Sequence, residues 1–227
     1  MIIFENSELK NLLPLRSLYK QNSLFFLGFL LFLFLSIFIL IFYTKEDGFY
    51  LMNAYHSGIL TYLFIYATYL GDGIFCIAIG ILLFLFKKRF LSVMVLSSYA
   101  ISGIIAQILK YFIIEPRPAI LLKDSDYKYF IDDVTLHNLH AFPSGHTASA
   151  FALAAVLSFA AKNKNYSILF LYVAILVGYS RVYLAQHFLN DVFAGAVIGF
   201  VSAIVCQLWL EKYEGAKFFR GTENTIK

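Results

Sequence analysis

The 227-residue chain is 60% hydrophobic and only 14% charged, and aromatic residues make up 19% of it. An ordinary soluble domain is about a quarter charged, so this composition excludes a soluble globular protein and indicates an integral membrane protein. The net charge of +4 is not concentrated in a basic stripe. Nucleic acid is therefore not expected as a partner.

The first predicted element is an uncharged apolar run over residues 24–43. About 20 helical residues at 1.5 Å each cross a bilayer core of roughly 30 Å, so this run is long enough to be a transmembrane helix. A cleavable signal peptide has a shorter apolar stretch close to the start, followed by a small-residue cleavage site, and this segment has neither. We therefore expect a retained span.

Further apolar runs follow along the chain, at residues 59–86, 90–114, 147–161, 166–184 and 188–210. The break at Gly71-Asp72-Gly73 suggests that residues 49–68 begin as an aromatic-rich interfacial segment and that the second crossing is mostly residues 72–86. The sequence thus predicts an all-α polytopic membrane protein, a bundle of six transmembrane helices. No internal repeat or soluble second domain is apparent, so residues 1–227 are expected to form a single membrane-embedded domain.

Positive charges indicate how this bundle is oriented, because cytoplasmic loops are enriched in lysine and arginine. Residues 1–22 and 211–227 fall on the same side of the six-span arrangement as most of these charges, so both are expected to be cytoplasmic tails. The site described next then faces the periplasm or cell exterior, at the outer interface of the inner membrane. The charges on the cytoplasmic side are Lys10, Arg16, Lys20, Lys87, Lys88, Arg89, Lys162, Lys164, Lys212, Lys217, Arg220 and Lys227.

The first of three polar clusters is Lys110 with Arg117-Pro118. Pro116 and Pro118 prevent a straight helix, because the residue before each proline is pushed out of the helical region. Both cations can therefore converge at the membrane surface, where a guanidinium fork and a mobile ammonium suit phosphate oxygens. The alternative is that Lys110 snorkels from a helix end and that Arg117 pairs with Glu115.

The second cluster, Pro143-Ser144-Gly145-His146, precedes an apolar run and is therefore a predicted helix start. Ser144 is a good N-cap residue, and Gly145 lets the backbone come close to a ligand. Unpaired amides at a helix N-terminus bind anions, so phosphate could rest on this turn with His146 facing it. An ordinary cap with an interfacial histidine is the alternative.

The third cluster is Ser180-Arg181 followed by His187 and Asp191. A spacing of four places His187 and Asp191 on one helical face, where the carboxylate can fix the tautomer of the ring. A neutral, oriented imidazole can attack phosphorus and form a covalent phospho-histidine. The alternative is a polar pair at the end of a span.

In combination, the three clusters resemble the signature of the type 2 phosphatidic acid phosphatase superfamily, with no departure at any defining position. The resemblance covers about residues 50–210. The three parts in this chain are Lys110-x6-Arg117-Pro118, Pro143-Ser144-Gly145-His146 and Ser180-Arg181-x5-His187-x3-Asp191.

This resemblance implies a role for each matching residue. His187 is the expected nucleophile, Asp191 its orienting partner and His146 the acid that protonates the leaving oxygen. The phosphate is expected to lie on three cations and one helix turn, and the resemblance implies neither a metal nor a cofactor. The phosphate-binding residues are Lys110, Arg117, Ser144, Gly145 and Arg181.

Other candidate sites in the chain are weaker. Cys76 and Cys206 lie inside predicted spans, so we expect buried thiols rather than a disulfide. The long predicted outer loop over residues 119–142 holds acidic residues whose spacing matches no calcium loop, and its two histidines are interpreted as surface or lid residues. We hypothesise from the length of this loop that it gates or selects substrate. Its side chains in question are Asp124, Asp126, Asp132, Asp133, His137 and His140.

The sequence therefore predicts a metal-independent membrane phosphatase that acts on a lipid phosphate or diphosphate in the bilayer, with no obligate protein partner. The resemblance makes undecaprenyl diphosphate the first choice of substrate, ahead of phosphatidylglycerophosphate and lipid A phosphates. A lipid phosphotransferase that uses the same intermediate is an alternative. A phospholipid transporter or binder without turnover is a further alternative.

Overall fold

The computed structural model describes residues 15–131 and 139–212. Within those two stretches all regular secondary structure is helical. The predictions for Lys10, Asp132, Asp133, His137, Lys217, Arg220 and Lys227 lie outside the described residues. The helices are α1 (15–21), α2 (Ser23–Phe42), α3 (Lys45–Met52), α4 (Gly58–Tyr69), α5 (Gly73–Leu85), α6 (Arg89–Phe112), α7 (Pro118–Leu121), α8 (Gly145–Ala160), α9 (Tyr166–Tyr183) and α10 (Leu189–Lys212).

Four of these helices, α2, α6, α9 and α10, are long and apolar enough to cross a membrane. Helices α4 and α5 meet this criterion together, across a bend of 54°. Alone, α5 is about 20 Å long at 1.5 Å per residue, which is less than a bilayer core. Residues 72–86 alone are therefore too short for a crossing, and the bent pair counts as one candidate span. Helix α8 has 16 residues, and six crossings stay a prediction.

Helix α8 lies at the centre of the bundle, and most of its side chains are buried. Its backbone comes very close to α10, because Gly195 and Gly199 carry no side chain. A Cβ at Gly199 would lie 2.2 Å from the carbonyl oxygen of Ala148, and one at Gly195 would lie 2.5 Å from that of Ser144. Only glycine permits this approach, and it places the start of α10 beside the start of α8.

Aromatic packing joins α2 to this central pair. The ring of Phe29 lies 4.3 Å from that of Phe200 and 5.7 Å from that of Phe151. The opposite face of α2 presents large apolar side chains outward, among them Phe34 and Ile41. An apolar exterior is the surface that a lipid environment requires, as expected for a membrane-spanning helix.

The connections at the site end of the bundle are tied to the helices. Helix α3 buries Phe49 between Tyr127, 5.1 Å away, and Phe188, 5.5 Å away. The ring of His56 stacks between Tyr129 and Tyr183 at 4.3 and 4.1 Å. Residues 119–131 of the predicted outer loop therefore pack against α3 and α9, and their first turn is α7.

Cys76 and Cys206 are buried and free, as predicted.

Candidate active site

A cavity of about 260 Å³ lies between the α4–α5 bend, α6, α8 and α9. Six of the eight predicted site residues line it, although they come from three distant parts of the chain. The other two, Ser144 and Asp191, are fully buried and lie behind its wall. The six lining residues are Lys110, Arg117, Gly145, His146, Arg181 and His187.

His187 lies in the short turn between α9 and α10. Its amide and that of Gln186 both donate to the carbonyl oxygen of Arg181, at 3.1 and 2.9 Å, and Ala185 takes a left-handed conformation with φ 53°. The ring has different partners on its two sides. Nδ1 lies 3.3 Å from Asp191 Oδ2, whereas Nε2 lies 3.5 Å from Arg117 Nη1.

The surroundings of His187 favour its neutral form. Burial lowers its pKa well below the usual range, and the charges of Arg181 and Arg117 lower it further. Asp191 Oδ2 also accepts a hydrogen bond of 3.0 Å from the amide of Phe188, which fixes the carboxylate. With Nδ1–H donated to Asp191, the lone pair of Nε2 is available on the cavity side.

The second motif forms the start of α8, as predicted. Ser144 is the N-cap: its Oγ accepts from the amide of Thr147 at 3.4 Å and from the hydroxyl of Thr147 at 2.9 Å. Its amide donates to the carbonyl oxygen of Asp191 at 3.0 Å, which ties the second motif to the third. A Cβ at Gly145 would meet nothing within 4 Å, so the backbone is open to the cavity there.

The two cations of the first motif are held by main-chain carbonyl groups. Lys110 Nζ donates to His140 O at 2.6 Å, and His140 Nδ1 lies 2.8 Å from Lys110 O. Arg117 donates to Leu139 O and to Gln186 O, each at 3.2 Å. Main-chain oxygens of the loop therefore contact both cations, and the His187 turn adds a contact to Arg117.

The alternative pairing of Glu115 with Arg117 is not the ion pair that Glu115 forms. Glu115 forms an ion pair with Lys45 at the start of α3 instead. The ammonium group of Lys45 also lies 4.7 Å from the ring centre of Phe188. Lys45 thereby links the segment before Arg117 to the residue after His187.

Arg181, the third cation, is buried at the end of α9. Its Nη1 donates to Thr68 Oγ1 at 2.6 Å, and its Nε has no hydrogen-bond partner in the described part of the chain. Thr68 belongs to α4, just before the bend. The bent pair thus supplies a partner for Arg181 that the sequence motifs do not contain.

Sequence reasoning missed several residues around this cavity. The roles of Thr68 and Lys45 had no signal, because their contacts are tertiary and neither belongs to a motif. A signal did exist in α6, where the lining residues repeat at helical spacing on one face. That face consists of Tyr99, Gly103, Ala106, Gln107 and Lys110.

Within residues 15–131 and 139–212, no group of three or more His, Cys, Asp or Glu side chains is arranged to hold a metal ion. The acidic side chains Asp124 and Asp126 of the predicted outer loop are exposed and are not among the residues that line the cavity.

Comparisons with known proteins place these features in a family context. The family model of the PAP2 superfamily matches residues 91–214. Undecaprenyl-diphosphatase from Sulfolobus acidocaldarius is 29% identical over 177 residues, which are 75% of this chain and 83% of that protein.

Two solved structures resemble the fold. LpxE from Aquifex aeolicus has a TM-score of 0.60 and 34% identity, and the match covers 70% of this chain and 92% of that one. The transmembrane PAP2-type phosphatidylglycerolphosphate phosphatase from Bacillus subtilis has a TM-score of 0.59 and 25% identity, with coverage of 86% and 97%.

Proposed function

The chain belongs to the PAP2 superfamily and is a membrane lipid phosphatase. We propose that it releases the terminal phosphate of a lipid diphosphate through a phospho-histidine on His187. The observation that carries this proposal is the two-sided environment of His187. Nδ1 faces Asp191 at 3.3 Å, and Nε2 faces a cavity shared with Arg117, Arg181 and His146.

In the first step, the Nε2 lone pair of His187 attacks the terminal phosphorus. The bond between phosphorus and the leaving oxygen breaks as the nitrogen–phosphorus bond forms, and His146 gives its proton to that oxygen. Asp191 accepts the Nδ1–H hydrogen bond and stabilises the positive charge on the ring, as the carboxylate of a catalytic triad does.

In the second step, a water molecule attacks the phospho-histidine. His146, now neutral, takes the proton of the water, the nitrogen–phosphorus bond breaks, and inorganic phosphate leaves. Nε2 of His187 recovers its lone pair, so the cycle is closed. Splitting the hydrolysis in this way replaces one difficult displacement by two easier ones.

The charges of the cavity support this chemistry. Negative charge on the three equatorial oxygens of the transferring group requires fixed positive groups and amide donors. Lys110, Arg117 and Arg181 supply the cations, and the exposed backbone at Gly145 lies at a helix N-terminus. Ser144 contributes by capping that helix, and its buried hydroxyl lies behind the cavity wall. We propose that these groups suffice without a metal or cofactor.

Undecaprenyl diphosphate is the proposed substrate, and phosphatidylglycerophosphate and lipid A phosphates are the alternatives. One relative is named undecaprenyl-diphosphatase, and one solved neighbour is a phosphatidylglycerolphosphate phosphatase. These names support the first two substrate classes. We further propose that the protein lies in the inner membrane with both termini cytoplasmic, so that the cavity faces the periplasm or cell exterior. The distribution of lysine and arginine supports this orientation.

The test is a phosphate-release assay with the purified full chain over these lipids, in the presence and absence of a chelator. We expect release from undecaprenyl diphosphate at the highest kcat/KM, unchanged by the chelator, and none from the His187→Ala variant. Equal release by that variant would overturn the role of His187. Recovery of lost activity by one added divalent metal would overturn the metal-free mechanism, and labelled phosphate on a second lipid would indicate a phosphotransferase.

A further inference from the structure

We propose that one face of α6 is a subsite for the part of the substrate beyond the phosphorus under attack. Gln107 binds the second phosphate of a lipid diphosphate, and the channel past Gly103 to Tyr99 takes the first part of the hydrocarbon tail. This inference rests on the proposed function and adds to it the recognition of the leaving lipid.

The first argument is continuity. Tyr99, Gly103, Ala106 and Gln107 line the same cavity as Lys110 and His187. From Lys110 to Tyr99 the helix descends eleven residues, which is about 16 Å at 1.5 Å per residue. Because α6 is a candidate span, this face leads from the cations toward the bilayer interior. A lipid held by its phosphate must extend in that direction.

The second argument is the position of Gln107. It lies about one helical turn below Lys110 and is exposed, although it belongs to a helix long and apolar enough to cross a membrane. Polar side chains at such positions are costly and usually serve a function. The carboxamide can donate hydrogen bonds to anionic oxygen, which gives stronger bonds than a neutral acceptor does. A second phosphate, one bridging oxygen away from the first, is the part of the substrate that this donor suits.

The third argument is the space beside Gly103. A Cβ there would meet nothing within 4 Å, whereas one at Gly73 would lie 2.1 Å from the hydroxyl oxygen of Tyr99. Tyr99 therefore lies against Gly73 at the end of the lining face farthest from Lys110, and the space beside Gly103 is open. Alanine would suit the helix better than glycine does, so the open space is not a requirement of the helix itself.

The apolar crevice between α8 and α9, about 160 Å³ in volume, is the other place where a tail could lie. It has no lining residue in common with the His187 cavity. Ala174, on its α9 wall, is seven residues before Arg181. The α6 face is continuous with the reacting groups, and the crevice supplies a control position, Val173.

The experiment uses the purified full chain and three substrates: a five-carbon prenyl diphosphate, a fifteen-carbon prenyl diphosphate and the fifteen-carbon monophosphate. Free phosphate is measured, and kcat/KM is compared for the unaltered protein, Gln107→Leu, Gly103→Leu and Val173→Phe. Thermal unfolding identifies variants that are not folded. Should Gly103→Leu not fold, Gly103→Ala is measured in its place and a smaller change in the same ratio is expected.

Two separate changes of preference are expected. Gln107→Leu should lower the ratio of diphosphate to monophosphate activity at constant chain length by roughly tenfold, because one hydrogen bond to an anion is lost. Gly103→Leu should lower the ratio of fifteen-carbon to five-carbon diphosphate activity by a similar factor. Val173→Phe should keep both ratios of the unaltered protein.

Equal losses on mono- and diphosphate in Gln107→Leu would overturn the second-phosphate assignment. An unchanged chain-length ratio in Gly103→Leu, or a lower one in Val173→Phe, would overturn the tail assignment. Absence of phosphate release by the unaltered protein from all three substrates would instead overturn the proposed function itself.

Discussion

The two sides of the cavity are built differently. On one side, His187 and Asp191 are almost fully buried, and hydrogen bonds from the turn and from the amide of Phe188 hold them. On the other side, Lys110 and Arg117 donate to the carbonyl oxygens of His140 and Leu139 in a partly exposed loop. The reacting side is therefore fixed by buried hydrogen bonds where α9 meets α10, whereas Lys110 and one side of Arg117 are held by a loop.

This difference indicates that the nucleophile needs a fixed orientation, whereas the cations need partners that a substrate can replace. A nucleophile must be held in one orientation before the substrate arrives, because a misplaced ring loses the attack geometry. The cations must be able to contact phosphate oxygens, and a carbonyl oxygen is a partner that an anionic oxygen can replace. Substitutions on the reacting side should consequently cost more than those on the cation side.

The largest effect is expected for His187→Gln. Glutamine keeps a polar side chain of comparable length but offers no lone pair that can form the covalent intermediate. We expect kcat to fall at least about ten-thousandfold, measured as phosphate release. The unfolding temperature should stay close to that of the unaltered protein. Ordinary turnover by this variant would contradict the assignment of the nucleophile.

The second prediction concerns the group that orients the ring. Asp191→Asn keeps the shape and an oxygen for the amide of Phe188, but its NH₂ group can donate to Nδ1 and so favour the wrong tautomer of His187. A loss on the order of a thousandfold in kcat is expected, by analogy with the carboxylate of a catalytic triad. Asp191→Glu serves as the control that restores an acceptor. A loss below threefold for Asp191→Asn would show that the ring is oriented by something else.

The third prediction concerns the effect of the cation Arg117 on the nucleophile His187. Arg117→Gln removes a cation near His187 Nε2, and kcat/KM should fall about a hundredfold because the phosphoryl charge loses a fixed donor. The pKa of His187 is lowered. The ring therefore becomes protonated only at a pH below about 6.5, the pKa of an ordinary histidine.

This third prediction has a pH signature. The acid limb of kcat/KM should lie below pH 6.5 in the unaltered protein. In Arg117→Gln it should move to higher pH, since removing a positive charge raises the pKa of the imidazole. Lys110, His146, Arg181 and Asp191 also face or neighbour the ring and stay unchanged in this comparison. A limb that moves to lower pH would contradict the coupling.

The fourth prediction tests Thr68 as a positioning residue for Arg181. Thr68→Val has nearly the same shape but cannot accept the hydrogen bond from Nη1. We expect a loss of about tenfold in kcat/KM, the cost of one hydrogen bond to a charged group. Thr68→Ser restores the hydroxyl and should recover most of the activity. A loss in Thr68→Ser with full activity in Thr68→Val would indicate that the site requires the methyl group for packing instead.

The smallest effect is expected for His140→Ala. The contact to Lys110 Nζ uses the carbonyl oxygen of His140, and this group remains after the substitution. The hydrogen bond of the ring, among the described residues, is to the carbonyl oxygen of Lys110 near the end of α6. A loss below about threefold in kcat/KM is expected, within the range of surface substitutions. A loss comparable to that of His187→Gln would show that His140 takes part in the chemistry.

Much of this arrangement could be predicted from the sequence because it depends on local rules. Apolar length predicted the spanning character of α2, α6, α9 and α10, and the cap residue predicted that α8 begins after Ser144. The spacing between His187 and Asp191 predicted their contact, because residues four apart share a helical face. The bend near Gly71 was also visible as a break in the apolar pattern.

The rest could not be predicted because it depends on which helices become neighbours. Nothing local brings Thr68 to Arg181, or Lys45 to Glu115, since these pairs are far apart in the chain and join by packing. The carbonyl contacts of Lys110 and Arg117 depend on the backbone of a loop, which side-chain patterns do not describe. Ser144 was expected among the cavity-lining groups, and the cap geometry places its hydroxyl behind them.

The glycine contact between α8 and α10 fixes the distance between these two helices near the proposed active site. His146 lies at the start of α8 and His187 just before α10, and the backbones of these two helices touch at Gly195 and Gly199, so main-chain contact sets how closely the two helix starts approach. A single added methyl group at Gly199 would push α8 and α10 apart. The displacement would extend several turns along α10 to the residues proposed to bind the phosphate.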